Sequence, residues 1–164
     1  MLKWKKLGQV FDPTKVKGRT WLREFAQCTS TLVMDDVVRV YFSCRPARNV
    51  HGLYTSNTTF LDLDREDLSR VVRIAEKPLL PLGGLGCFDE FGIYPTSVVP
   101  IGDQVYFYYA GWTRPTSVFA DLSIGVAISN DGENFKRLGK GPVLTKSLQE
   151  PFQLSGPKVR RFNG

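Results

Sequence analysis

The chain has 164 residues, 42% of them hydrophobic, with 22 Lys and Arg against 16 Asp and Glu; this is ordinary globular composition and excludes disorder, collagen and coiled coil. At this length one domain buries roughly two thirds of the surface its unfolded chain exposes, so a core forms without disulfide or metal staples. The net charge of +6 does not point to nucleic acid, because the basic residues are scattered among acidic ones; the densest clusters, Lys3, Lys5, Lys6 and Lys158, Arg160, Arg161, sit at opposite ends.

In chain order the pattern is that of short β-branched and aromatic runs broken by turn residues, with almost no helical periodicity. Thr31 to Met34, the pair Asp35-Asp36 and then Val37 to Ser43 predict a hairpin. Leu53 to Leu63 and Val71 to Ala75 predict a third and a fourth strand. A second hairpin runs from Thr96 to Val99, through Ile101-Gly102-Asp103, to Gln104 to Ala110. Ser123 to Ser129 and Phe135 to Leu138 follow, joined by the tight turn Asn130-Asp131-Gly132. Pro157 to Phe162 predicts one more strand, and Asn163-Gly164 is a preferred hairpin turn.

The two hairpins are copies. Val40-Tyr41-Phe42 returns as Val105-Tyr106-Phe107 (105 − 40 = 65), Pro78-Leu79-Leu80 as Pro142-Val143-Leu144 (142 − 78 = 64), and Phe88 and Gly92 return 64 residues on as Phe152 and Gly156. A period near 64 with about four strands per unit is the signature of a β-propeller. The expected fold is all-β: four-stranded antiparallel blades, with blade one at about 25–80, blade two at about 88–144 and the start of blade three at about 150–164. On this reading, residues 1–164 are a single, partial propeller domain, a fragment or truncated product with about two blades and the first strand of a third. Unfinished blades favour self-association through their exposed edges and faces.

The phrases Phe25 to Ser30 (FAQCTS), Val38 to Arg45 (VRVYFSCR), Phe88 to Pro95 (FDEFGIYP), Val105 to Trp112 (VYFYYAGW) and Ile124 to Phe135 (IGVAISNDGENF) together resemble the five-bladed β-propeller glycosidases. That superfamily includes arabinanases and β-xylosidases, invertases and β-mannoside phosphorylases. Among its members the nearest in flavour are glycosidase-like proteins associated with bacterial surface-polysaccharide genes. The resemblance implies a carbohydrate substrate, polysaccharide or oligosaccharide, cleaved by acid-assisted hydrolysis or phosphorolysis, or else bound without catalysis. It implies no cofactor, and leaves open calcium in the channel, as some relatives have.

In that superfamily the first residues of each innermost strand face the pocket, and two carboxyl groups are needed, one as proton donor and one as base or nucleophile. Asp89 is the first candidate, as general acid or as modulator of a neighbour's pKa; the alternative is an Asp accepting backbone hydrogen bonds in its loop. Glu150 is the second, as acid/base from the third blade, or as a solvated loop residue. Glu90 lies beside Asp89 but points the other way on an extended chain. Gln27 stands where a first-blade Asp is expected, which fits a sugar-hydroxyl ligand, a phosphorylase-like or binding-only site, or a structural role. Glu24 is close by, but one residue of register turns it away. Arg45 reaches a sugar acid or phosphate, or makes an exposed salt bridge. Trp112 stacks on a sugar or packs between blades. Tyr41, Phe42 and Tyr106 to Tyr109 are expected core.

Three cysteines without C-x-x-C spacing and a single histidine, His51, form neither a disulfide framework nor a metal site, so no metal ligands are assigned. No apolar run follows the basic start Met1 to Lys6 or approaches about 18 residues. The expectation is a cytoplasmic chain with no nucleic-acid or membrane partner. A rival reading, an interaction module for an acidic partner, rests on charge alone. Gly83-Gly84-x-Gly86 lacks the lysine and helix of a phosphate loop and reads as a connector.

Overall fold

A computed structural model describes residues 3–6 and 8–162. Its regular structure is eight strands and one 3-10 turn, Pro13–Lys15, whose N-cap Asp12 accepts the Thr14 amide. β1 (Glu24–Val33), β2 (Val37–Arg45), β3 (Asn57–Asp64) and β4 (Val71–Ile74) form one antiparallel sheet in sequence order. β5 (Gly92–Ile101), β6 (Gln104–Thr113), β7 (Asp121–Ser129) and β8 (Lys136–Arg137) form the second in the same order. The repeat read from the sequence is therefore a repeat of two four-stranded meanders, as blades require.

Turn chemistry sets the registers. The β5–β6 hairpin closes on Gly102-Asp103 with Gly102 at φ 58°, and Ile101 pairs with Gln104. Gly132 sits at φ 68° after β7, where the Asp131 carboxylate accepts the amides of Glu133 and Asn134, both at 2.8 Å. Those bonds, led by one from the Asn134 side chain, hold the Asp131 carboxyl well below the usual carboxylate range. β3 begins at Asn57 and not at Leu53 because the Asn49 side chain accepts the amides of His51 and Leu53, giving that backbone a local alternative to a strand ladder.

Strand alternation divides each sheet into two apolar faces. Tyr41 and Phe60 of the first sheet meet Ile93, Val98, Phe107, Tyr109 and Ala127 of the second in one continuous core. On the other face of the first sheet, Phe42, Cys44 and Leu61 are buried against Leu22, with Phe11, Val16 and Trp21 packed around them. Burial in that core pushes the Cys44 thiol up to about 12.

The seam between the sheets also carries polar links. The Tyr41 hydroxyl donates to the Gly132 carbonyl at 2.6 Å, Arg39 binds Asp62 through two nitrogens at 2.7 and 3.0 Å, and Arg73 bridges Asp62 at 3.1 Å to Glu133 at 2.8 Å.

One expected strand is absent. Residues 157–162 form no strand; the chain is instead tied to β5 through side chains, with Ser97 Oγ donating to Pro157 O and accepting Val159 N, and Lys158 Nζ donating to Thr96 O. Pro157 has no N–H for a ladder, and a hydroxyl takes up the neighbouring groups. The Asn163-Gly164 turn lies outside the described residues.

Candidate functional site

The innermost strands β1 and β5 begin side by side, and Ser56 bridges to Gly92 across the two sheets. β1 opens irregularly: its register on β2 shifts between Glu24 and Gln27 and again between Gln27 and Ser30, with Phe25 at φ 63° and Cys28 at φ 55°. These irregularities set Glu24 opposite Arg45. Tyr54 Oη donates to the Glu24 carboxylate at 2.5 Å. The Arg45 guanidinium lies 4.7 Å from the Phe25 ring centre and 5.0 Å from that of Tyr54, and its Nη2 donates to Tyr94 Oη at 3.2 Å. Ser56 Oγ reaches the same hydroxyl.

Tyr94 stacks on Trp112 with centroids 6.5 Å apart and an interplanar angle of 9°. The stack is possible because residue 92 is glycine: a Cβ there would lie 1.6 Å from Trp112 Nε1. Tyr94 and Trp112 form one wall of a cavity of about 650 Å³, with Asp121, Lys146, Phe152 and Gln153 among its other walls. Lys146 and Asp121 pair at 2.5 Å. Phe119 and Phe152 stand at the rim, 91% and 80% exposed. An aromatic wall, a charged pair and an amide around an open cavity match the chemistry of a small-ligand site.

The sequence candidates fall into three groups. Trp112 lines the cavity, and Arg45 reaches it through Tyr94. Glu150 is exposed in a turn closed by Ser147, just before Pro151 to Gln153, which do line the cavity. Gln27 is half-buried in β1 opposite Ser43, and Glu90 accepts the Gly86 amide at 3.0 Å, closing its own loop.

Asp89 lies elsewhere. It is 1% exposed and accepts Arg137 Nε and Nη2 at 2.9 and 2.6 Å and Tyr109 Oη at 3.2 Å. Tyr109 belongs to the core facing the first sheet, and Trp112, three residues on in β6, faces the other way. Asp89 and the cavity are thus on opposite faces of the second sheet. The side-chain partners of Asp89 are thus Arg137, from the outermost strand, and Tyr109, and not the backbone amides of its own loop. Glycines at 111 and 125 make room for Asp89 and Phe88, since Cβ atoms there would lie 2.5 and 2.6 Å from them.

Sequence reasoning passed over Tyr54, Tyr94, Asp121, Lys146 and Arg114. One signal was available: Arg45-Pro46 after the second strand of the first unit returns as Arg114-Pro115 after that of the second (114 − 45 = 69). Arg114 lies 4.2 Å from the Phe91 ring centre and 5.2 Å from that of Trp112, so each sheet has an aromatic-stacked arginine near the end of its second strand, although the spacing of 69 is off the 64–65 period.

No family model matches the chain. It is 33% identical over 162 residues to the uncharacterized proteins Rv1502 and MT1551 of Mycobacterium tuberculosis strains H37Rv and CDC 1551, covering 98% of this chain and 52% of each of them. The chain thus spans about half the length of these curated relatives. Among solved structures it is similar to the Bombyx mori GH32 beta-fructofuranosidase BmSUC1, at TM-score 0.55 and 15% identity over 73% of this chain and 24% of that one. A structure described as a glycoside hydrolase matches at TM-score 0.58 and 13% identity, over 87% of this chain and 39% of its own. At such identities the likeness concerns fold. The two sheets have the fold of glycoside-hydrolase β-propeller blades, and no helix among the described residues is long and apolar enough to cross a membrane.

Proposed function

We propose that this chain supplies the first two blades of a larger, five-bladed glycosidase-like propeller and that the Trp112 cavity binds a saccharide. The observation that carries the reading is the Tyr94–Trp112 stack walling a cavity of about 650 Å³ beside Asp121, Lys146 and Gln153. Aromatic faces hold sugar rings through apolar contact, while amides and charged groups take up the hydroxyls. The half-length match to the relatives and the blade-like repeat support the multi-blade assembly.

Glycoside cleavage requires a second carboxyl group opposite the first. Asp89 is held by Arg137 on the other face of its sheet, so the acids that border the site are Glu24, bound by Tyr54, and Asp121, paired with Lys146. Glu150 is the remaining free carboxylate near the cavity wall. This distribution favours glycan binding by the 164-residue chain over turnover, with catalysis dependent on further blades. Titrating the chain with a panel of neutral and acidic oligosaccharides while following tryptophan fluorescence tests the reading. Saturable quenching lost in Trp112→Ala supports it; no response from any saccharide refutes it. Turnover of any glycoside by the chain, abolished by Glu150→Gln, would replace it with the catalytic reading.

A further inference from the structure

Five buried side-chain nitrogen or oxygen atoms have no partner among the described residues: Ser43 Oγ, Thr59 Oγ1, Arg45 Nε, Trp112 Nε1 and Arg114 Nη2. The last three are N–H donors grouped around the Tyr94–Trp112 stack: Trp112 lines the cavity, while Arg45, bonded to Tyr94 Oη, and Arg114, beside the Trp112 ring, flank it from outside the lining. A buried donor left unpaired has lost its hydration with nothing in return, the more so when it is charged, and calls for a physical reason. Elsewhere in the same sheets half-buried and buried arginines have their carboxylates: Arg39 has Asp62 and Arg137 has Asp89. Arg45 and Arg114, both half-buried, make no ion pair among the described residues.

The acids nearby are already committed. Glu24 takes the Tyr54 hydroxyl, Asp121 takes Lys146, and Glu90 takes the Gly86 amide; Glu90 acts on Arg114 only through space, beyond ion-pair distance. A further cation, Arg48, lies 4.3 Å from the Tyr54 ring centre. Both arginines stack on aromatic rings, a placement that fixes the guanidinium plane; each keeps a nitrogen without a partner, so an oxyanion that displaced the weak 3.2 Å bond to Tyr94 Oη or entered beside Trp112 would find N–H groups to receive it. Both also lie near the end of the second strand of their sheet.

We propose that the ligand of this site is anionic: a saccharide bearing a carboxylate or a phosphate, with Arg45 and Arg114 as the residues that read its charge. The proposal rests on the saccharide reading of the cavity and adds a substrate class to it. No covalent step is involved.

The test uses the full chain, labelled with nitrogen-15, in which the Trp112 indole and the Arg45 Nε–H signals are followed by NMR. It is titrated at constant ionic strength with glucuronate, with glucose as its uncharged counterpart, and with inorganic phosphate. Glucuronate, phosphate or both shift these signals saturably, at least about tenfold more tightly than glucose, as charge-assisted forked contacts require. A response to glucuronate alone assigns the carboxylate, and one to phosphate alone assigns the phosphate. Arg45→Met and Arg114→Met each reduce the preference for the anion over glucose, and Arg45→Lys, which keeps the charge without the fork, reduces it less. Equal responses to glucose and glucuronate with none to phosphate overturn the anionic proposal and leave the saccharide reading standing. A response to phosphate without any to sugars leaves the anion site and removes the saccharide. Silence to all three removes both.

Discussion

The two arginine-rich clusters of this protein sit in the same pair of sheets and are built in opposite ways. Along the seam between the sheets, Asp62 receives Arg39 and Arg73, Arg73 goes on to Glu133, and Asp89 receives Arg137. At the openings of the innermost strands, Arg45 and Arg114 lie on aromatic rings with buried nitrogens left over. Buried ions that serve the fold must be neutralised within it, because an uncompensated one is expensive. The contrast therefore separates charges neutralised within the fold from charges that have no counter-ion among the described residues.

The largest effect should come from the seam. Asp62→Asn strands the buried Arg39 guanidinium and is expected to lower unfolding stability by about 3–5 kcal/mol in urea melts, while Arg45→Met should cost less than about 1 kcal/mol. Equal losses would erase the distinction. Burial alone would raise the Asp62 carboxyl, but the bonds from Arg39 and then Arg73 overcome it and hold it below its ordinary 3.8. A depressed folded value means that this contribution is fully present above about pH 4 and disappears as pH falls through the folded value. The wild type should therefore lose stability on acidification below pH 3.8 more steeply than Asp62→Asn.

Asp89→Asn should destabilise by about 3 kcal/mol, since Arg137 loses its carboxylate in a nearly closed setting. Saccharide binding at Trp112 should persist under conditions where the variant is folded. If binding vanished with stability intact, Asp89 would belong to the site after all. Gly92→Ala is smaller, about 1–3 kcal/mol, the usual range for overpacking, but specific: it must push the Trp112 indole off Tyr94, moving the tryptophan emission and weakening ligand affinity together. Lys146→Met should be smallest, about 0.5 kcal/mol, because its pair with Asp121 is solvent-screened; a larger loss would show that the cavity wall depends on that pair.

Much of the fold could be read from the residues. Period-two alternation in Val37 to Ser43 and Gln104 to Ala110, with Asp, Asn and Gly at the turns, encodes strands and hairpins locally, and the recurrence of Val-Tyr-Phe encodes the second blade. Strand ends were less legible, because Asn49 and Ser97 divert backbone groups to side chains through contacts that spacing does not reveal. The site was legible only in part. Trp112 and Arg45 lie at or near the ends of the second strands, which the repeat marks. Glu24 was set aside on register, and the irregular start of β1, with Phe25 and Cys28 in left-handed conformations that L-residues with large side chains rarely adopt, is the feature that alternation could not anticipate. Asp89 sits beside Glu90 in a phrase typical of propeller glycosidases, yet its partner Arg137 is 48 residues away, a pairing no local pattern shows.

The apolar far side of the first sheet has a consequence for assembly. Phe11, Val16, Trp21 and Leu22 lie over Phe42, Cys44 and Leu61 there, so the amino-terminal arm takes from water an apolar face that would otherwise invite a second copy to dock on it.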